Sequence, residues 1–305
     1  MPPDVEAARE AAALHPRSAV HALAHGQALL AAERLPDAIA ELQRALRLDY
    51  TLADARFVLG CAWLDAGEPD KALEAFDHLE EDAETAPKIA QARAMKMQAR
   101  SDAGYVRHLF DQFATDYDSR MIGQLGYAAP QILRELADMV MAGRDSLSIL
   151  DLGCGTGLAG VAFQDLAYRL DGIDLSPAMI EKARARNLYD HLAVTDIETV
   201  LAGGGADYDL ILAADTLVYL GDLTPVFSGA RLRLKPDGFF LFTVETKAGE
   251  GFELGPKRRW RHSELYLREL AARSGFEVAG LVTCAPRREA NAPVEGFAAA
   301  LSLHP

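Results

Sequence analysis

Apolar residues recur at helical spacing through residues 4 to 100, in a background of Ala, Leu, Glu and Arg, and predict an all-α N-terminal third. Further on, the pattern becomes short apolar runs separated by amphipathic stretches. Ser146 to Leu150, Tyr168 to Ile173, His191 to Thr195, Tyr208 to Ala214 and Phe239 to Val244 read as strands of a parallel sheet. Helices are expected at Gln131 to Met141, Thr156 to Leu166, Leu223 to Leu234 and Glu264 to Ser274, with Ser176 and Pro177 opening another. Lys235 to Gly238 reads as a turn. Phe276 to Cys284 and Val294 to Leu303 complete the sheet as an antiparallel edge pair, joined by Pro286 to Pro293. The expected organisation is a helical domain over 1–100, connector or lid helices over 101–145, and an α/β domain over 146–305.

Offset by 34 residues, the N-terminal third aligns with itself: Gly26 with Gly60, Leu30 with Leu64, Ala38 with Ala72, Ile39 with Leu73, Leu42 with Phe76. This period, with small residues where paired helices touch, resembles the tetratricopeptide repeat. The second copy is the clearer (Leu59-Gly60-x-x-Trp63, Gly67, Ala72, Phe76). The first departs at His25 and Glu33, Pro16 fits the end of a preceding half-repeat, and Ile89 to Met97 could cap the stack. So few units are expected to lean on the α/β domain or on another subunit. They serve either as a concave surface for a protein partner or as a scaffold for packing and self-association. His21 and His25 are four apart, but no third ligand accompanies them, and no metal centre is expected.

Chemistry concentrates after the first strand, in Asp151-Leu152-Gly153-Cys154-Gly155-Thr156-Gly157. A strand, a glycine turn and a helix N-terminus form a cradle where backbone N–H groups meet a ligand. Gly155-x-Gly157-x-x-Gly160 also satisfies the dinucleotide fingerprint, which alone is weak. Charge discriminates better. Asp151, Asp174 and Asp196 end the first three strands, an arrangement poorly suited to a pyrophosphate. It suits a ligand with an ammonium, a sulfonium, a ribose diol and an adenine amino group, which describes S-adenosyl-L-methionine. Asp174 also follows Gly160 by only 14 positions, where the nicotinamide fingerprint expects about 20.

These segments, with Gly172-Ile-Asp174-Leu175-Ser176-Pro177-Ala-Met179, Thr195-Asp196-Ile197, Tyr208-Asp209 to Asp215 and Leu234-Lys-Pro236-Asp-Gly238, resemble the class I S-adenosylmethionine-dependent methyltransferases of bacterial type. The resemblance spans roughly residues 104 to 305. It implies a Rossmann-like seven-stranded sheet with an antiparallel C-terminal edge. It also implies cofactor contacts from Asp151, Gly153, Cys154, Gly155, Gly157, Asp174, Leu175, Met179, Asp196 and Ile197. Asp174 would hold the ribose, Met179 would rest on adenine, and Asp196 with Ile197 would meet the adenine edge. Tyr117, four residues after Phe113 on one helix face, would cover the methionine end of the cofactor, with Arg120 meeting substrate or carboxylate; the aromatic pair could equally seal a domain junction.

Asp215, Thr216 and Tyr219 follow the fourth strand, where open α/β sheets place their chemistry; Asp215 could instead only cap a helix. The run Lys257-Arg258-Arg259-Trp260-Arg261-His262 suggests an anionic group on the acceptor, or a solvated charge run. His262 is the preferred base, with Asp215 and Tyr219 as alternatives. The expected acceptor is a small molecule methylated on O or N; the rivals are a protein acceptor recruited through the repeats and a non-catalytic cofactor-binding adaptor.

The chain has 305 residues and a formal net charge of −14, which disfavours long-range attraction to nucleic acid or anionic membranes. Its three scattered cysteines fit a reducing compartment, and residues 1 to 10 lack the pattern of a signal peptide, so a cytoplasmic protein is expected.

Overall fold

The computed structural model describes residues 5–204, 207–255, 258–290 and 292–303. Lys257 of the basic run, and Gly205 of a Gly203-Gly204-Gly205 turn, lie outside the described residues. The chain forms two compact units, Met1–Gln98 and Ala99–Pro305.

The first unit is a run of helices: α1 (Val5–Leu14), α2 (Ala19–Ala31), α3 (Leu35–Leu48), α4 (Ala53–Asp65), α5 (Pro69–Phe76) and α6 (Thr85–Met97). Each packs on the next in sequence order. Ser18 caps α2, and prolines in the first turns of α3 and α5 give up N–H groups that would have no helical partner. The 34-residue offset has a physical basis in two helix pairs. A Cβ on Gly26 would lie 2.8 Å from Leu42 Cγ, and one on Gly60 would clash with the Phe76 ring, 2.2 Å from its Cε1, so both helix pairs close on a glycine. Leu42 and Phe76 are fully buried at these contacts. The two histidines find separate partners: His21 Nδ1 is 2.8 Å from Ser18 Oγ, and His25 Nδ1 is 3.4 Å from Glu41.

Because the Phe76 ring has no room to retreat inside this small core, Gly60→Ala is expected to destabilise the first unit by about 1–3 kcal/mol despite alanine's better helix propensity. Calorimetric scans of the full chain should show one transition lowered; an unchanged or raised midpoint would refute the close approach.

The second unit begins with α7 (Ala103–Phe113), α8 (Tyr117–Gly123) and α9 (Ala129–Val140). Then follow β1 (Leu147–Leu152), α10 (Leu158–Phe163), β2 (Ala167–Asp174), α11 (Pro177–Ala185), β3 (His191–Val194), α12 (Ile197–Ala202) and β4 (Tyr208–Ala213). A 3₁₀ turn at Leu217–Tyr219 precedes α13 (Thr224–Arg233) and β5 (Leu234–Thr246). The chain continues through β6 (Phe252–Leu254), β7 (Trp260–His262), α14 (Glu264–Arg273), β8 (Glu277–Cys284), β9 (Arg288–Glu289), β10 (Ala292–Pro293) and β11 (Gly296–Ser302).

The main sheet runs β3-β2-β1-β4-β5-β11-β8, parallel from β3 to β5 and antiparallel at β11 and β8. Apolar clusters cover both faces, one centred on Phe227, Phe240 and Phe242, the other on Leu133, Leu136 and Phe163. Strand order reverses between β1 and β4, so a crevice opens at their carboxyl ends.

One expectation changes. Lys235–Gly238 is a bulge within β5 rather than a turn, with Asp237 at φ 60° and the pairing to β4 shifting across it. The stretch from Thr246 to His262 contains the β6–β7 hairpin, and β7 pairs in parallel with Glu245 and Thr246 beyond the end of β4. Among the described residues no helix is long and apolar enough to cross a membrane.

Candidate active site

The loop after β1 needs glycine for two separate reasons. Gly153, Gly155 and Gly157 have φ of 67°, 54° and 91°, which side-chain-bearing residues rarely adopt. At Gly153 space is also lacking, since a Cβ would lie 2.5 Å from Thr216 Cγ2. Thr216 in turn donates its hydroxyl to Leu152 O at 3.0 Å, tying the end of β4 to the end of β1. At Gly155 the reverse holds: a Cβ would meet nothing within 4 Å and would project into open space.

Asp174, at the end of β2, organises this loop. Its Oδ2 accepts the Gly155 N–H at 2.9 Å and its Oδ1 the Ser176 N–H at 2.8 Å. Burial raises its pKa, while these two backbone donors pull the other way. Ser176 caps α11 by accepting from the Met179 N–H. At the end of β3, Asp196 caps α12 through the Glu198 N–H, and its Oδ2 takes Arg100 Nη2 at 2.6 Å. Arg100 Nη1 reaches Glu198 at 2.8 Å. The Arg100 segment lies beside the 3₁₀ turn, with Ser101 N–H donating to Tyr219 O and Gly221 N–H to Ala99 O.

These residues border an open cleft lined by Tyr117, Gly153, Gly155, Asp174, Leu175, Asp196, Ile197, Asp215 and Tyr219, with Arg100, Phe110 and Thr216 among its walls. A second space adjoins it. Phe110, Tyr117, Asp215 and Tyr219 border both; Leu109, Phe113, Arg120, Met121, Leu125 and Arg259 border the second alone. Phe110 stands edge-on to Tyr219, ring centroids 5.5 Å apart, and to Tyr117 at 6.1 Å. Arg120 lies over the Phe113 ring at 4.6 Å. Helices α7 and α8 roof both spaces and are pinned to the sheet. Ser176 Oγ donates to Asp111 at 2.5 Å, and Asp118 accepts from Thr156 Oγ1 at 2.5 Å and from Arg186.

The chemistry of the cleft's walls suits a nucleoside with a charged tail. Each Asp174 oxygen has one backbone donor and keeps acceptor capacity for a ribose diol. Leu175 and Ile197 supply apolar walls, and Gly155 leaves room where any side chain would intrude.

Of the residues expected at the cofactor, Gly153, Gly155, Asp174, Leu175, Asp196, Ile197 and Tyr117 border this cleft. The others do not. Met179 is fully buried in α11 and does not border the cleft, where Leu175 is an apolar wall. Asp151 lies beneath the loop, 1% exposed, its Oδ2 accepting the Tyr189 hydroxyl at 2.7 Å and its Oδ1 without a partner among the described residues. Gly157 caps α10 against Arg186 and Tyr189. Cys154 borders a recess that shares Tyr117, Gly153, Gly155 and Ala214 with the cleft, and packs with Ile180 and Ala183; burial pushes its thiol pKa well up. Asp196 is in place, but its carboxylate is already engaged by Arg100 and Glu198 N–H.

Among the residues expected to act on the acceptor, Asp215 and Tyr219 sit at the junction of the two spaces, whereas His262 does not. His262 is fully buried in β7, its Nε2 3.0 Å from Gly221 O and its ring stacked on Tyr266. Burial lowers its pKa to about 4, so it stays neutral and out of reach. Burial raises Tyr219 to about 12, which keeps the phenol protonated. Asp215 is raised to about 6 by burial, against the lowering charge of Arg259. The basic run is also spent differently: Arg259 and Arg261 lie within 4 Å of the internal acids Asp215, Glu245 and Glu289. Arg120 has no carboxylate partner among the described residues, and it borders the second space.

Residues 150–240 match the family model of the methyltransferase domain. Over that span the chain carries a methyltransferase domain. The methyltransferase domain is similar to the biotin biosynthesis bifunctional protein BioHC of Saccharophagus degradans, 29% identical over 163 residues, covering 52% of this chain and 27% of that one. It is also similar to the malonyl-[acyl-carrier protein] O-methyltransferase of Serratia marcescens, 27% identical over 153 residues, 49% of this chain and 56% of the relative. The chain thus spans about half or less of these relatives' length. In fold, the domain matches the 1,6-didemethyltoxoflavin-N1-methyltransferase of Burkholderia thailandensis, with TM-score 0.52 and 18% identity, over 65% of this chain and 88% of that structure.

Proposed function

We propose that the chain is an S-adenosylmethionine-dependent methyltransferase whose acceptor is a small molecule methylated on O or N. The single observation that carries this reading is the wall of Phe110, Tyr117, Asp215 and Tyr219 shared by the nucleoside cleft and an aromatic second space. A methyl donor in one and an acceptor in the other would meet at that wall. The roof of α7 and α8 covers a space on the scale of a small acceptor group, and a similar protein is named for O-methylation of malonyl carried on an acyl-carrier protein.

The cofactor would supply an electrophilic methyl on a sulfonium, a leaving group that needs no proton. The protein's work is then to align the acceptor with that methyl, at about 3–3.5 Å, and to exclude water. Phe110, Phe113, Tyr117 and Tyr219 provide the apolar walls. A protonated acceptor needs a base within reach, and Asp215 is the titratable carboxylate at the junction. The first unit, with its 34-residue helix pairs, is read as a tetratricopeptide-like module that scaffolds the domain or holds a partner.

Incubation with cofactor labelled on the methyl group should label the ultrafiltered metabolite fraction of a bacterial extract. Label confined to the protein fraction would replace this reading by protein methylation, and an absence of transfer with normal cofactor binding would favour an adaptor.

A further inference from the structure

Arg100 reaches the cleft from far along the chain. It stands in the segment that opens the second unit, 96 and 98 residues before the two acids it holds. Its Nη2 donates to Asp196 Oδ2 at 2.6 Å and its Nη1 to Glu198 Oε2 at 2.8 Å. The backbone that carries it is anchored to the 3₁₀ turn. Arg100 bridges Leu220 in antiparallel sense, Ala99 O accepts the N–H groups of Gly221 and Asp222 at 2.7 and 3.0 Å, and Ser101 N–H donates to Tyr219 O at 2.7 Å. The side chains of Arg100 and Asp196 are 24% and 21% exposed, so solvent screens this pair less than it would a surface pair.

Strand order decides which part of a nucleoside meets the pair. The strands β3, β2 and β1 are successive neighbours, about 4.8 Å apart. The reacting end of the ligand belongs where the two spaces meet, at Asp215 and Tyr219 beyond β4. A ribose on Asp174 then lies at the end of β2. The base, directed away from the reacting end, falls at the end of β3, where Arg100, Asp196 and Ile197 border the cleft. There Asp196 Oδ1 accepts the Glu198 N–H at 2.9 Å and Oδ2 the Arg100 guanidinium, which fixes the rotation of the carboxylate and leaves each oxygen acceptor capacity. An ionised carboxylate only accepts, so it takes an amino group and repels a carbonyl oxygen.

We infer that Arg100 is a positioning residue for base selection: by holding Asp196 it makes the carboxylate a fixed acceptor for the 6-amino group of adenine and sets the site against a 6-oxo purine. This rests on the proposed cofactor reading and adds to it a discrimination at the base. Arg100 acts through the carboxylate. A contact of its own with the base would work the other way, because a guanidinium only donates and would favour the 6-oxo purine.

The test is calorimetric, on the full chain, with S-adenosylhomocysteine and S-inosylhomocysteine, in which a 6-oxo group replaces the 6-amino group. The wild type should bind the adenosyl compound about thirtyfold more tightly, the scale of one hydrogen bond to a charged acceptor. Arg100→Ala frees the carboxylate to turn, and should lower that preference at least about fivefold. Arg100→Lys has a single ammonium that cannot span both acids, and should give an intermediate preference. A folded Arg100→Ala that weakens both ligands alike and keeps the preference overturns the inference, since Arg100 would then only tie down the segment. A raised preference overturns it as well, by showing that Arg100 itself meets the base. Should the alanine variant not fold, the lysine variant decides in the same way. If S-adenosylhomocysteine does not bind the wild type, the cofactor reading itself fails; if it binds and the wild type shows no preference, only this inference does.

Discussion

Replacing Asp174 with alanine is expected to weaken S-adenosylhomocysteine binding by about a hundredfold or more. Two losses combine. The ribose diol would lose hydrogen bonds to a charged acceptor, each worth about 1.5–3 kcal/mol. The Gly155 and Ser176 N–H groups, which the carboxylate now holds at 2.9 and 2.8 Å, would also be released, so the loop would no longer be pre-shaped for the ligand. Asp174→Asn retains an acceptor and should lose less. Titration calorimetry of the three proteins checks the order; equal affinity for wild type and the alanine variant would remove Asp174 from the site.

Asp151→Asn should have the opposite character, stabilising the ligand-free protein at alkaline pH. Burial, reinforced by the charge of Asp174 and opposed by the Tyr189 hydroxyl, raises Asp151 to about 7. Its unfolded value is near 3.9, so the folded chain holds this proton the more tightly. The group's favourable contribution is therefore complete in acid and is lost as pH rises through about 7. Above that, the ionised carboxylate costs up to about 4 kcal/mol, from which the amide's own unpaired group takes back about 1–3. A net gain of about 1–3 kcal/mol is expected near pH 8.5 and none near pH 5. Urea unfolding at both values measures it; the same difference at each pH would show that Asp151 does not titrate in this range.

Residues whose role follows from backbone geometry or chain position were readable from the sequence. Gly153 and Gly155 announce positive φ, Asp174 ends an apolar run, and the 34-residue offset anticipates the contacts of Gly26 with Leu42 and Gly60 with Phe76. What depended on which way a side chain packs was not. Met179 and Leu175 are both apolar and four residues apart, and only the folded chain shows that Leu175 borders the cleft while Met179 is buried away from it. His262 looked titratable because β7, three residues long in a stretch of glycines and charges, gives no strand signal, and so its burial was hidden. Arg287 left no trace at all: it is one arginine in a loop, and two of its partners lie 72 and 42 residues upstream. Arg100 likewise reaches acids nearly a hundred residues on. The basic run overstated the cationic character of the acceptor space, because a sequence does not show which charges are neutralised internally.

The pins from Asp111 to Ser176 and from Asp118 to Thr156 bear on the timing of turnover. Phe110 and Tyr117 sit on the helices those pins hold, and each is a wall of both spaces. On the proposed reading, a roof that swung aside to exchange one ligand would also open the space that holds the other. Such an enzyme would not keep its acceptor through successive methyl donors: each cycle would end in full discharge, and multiple methylations of one molecule would have to proceed by rebinding.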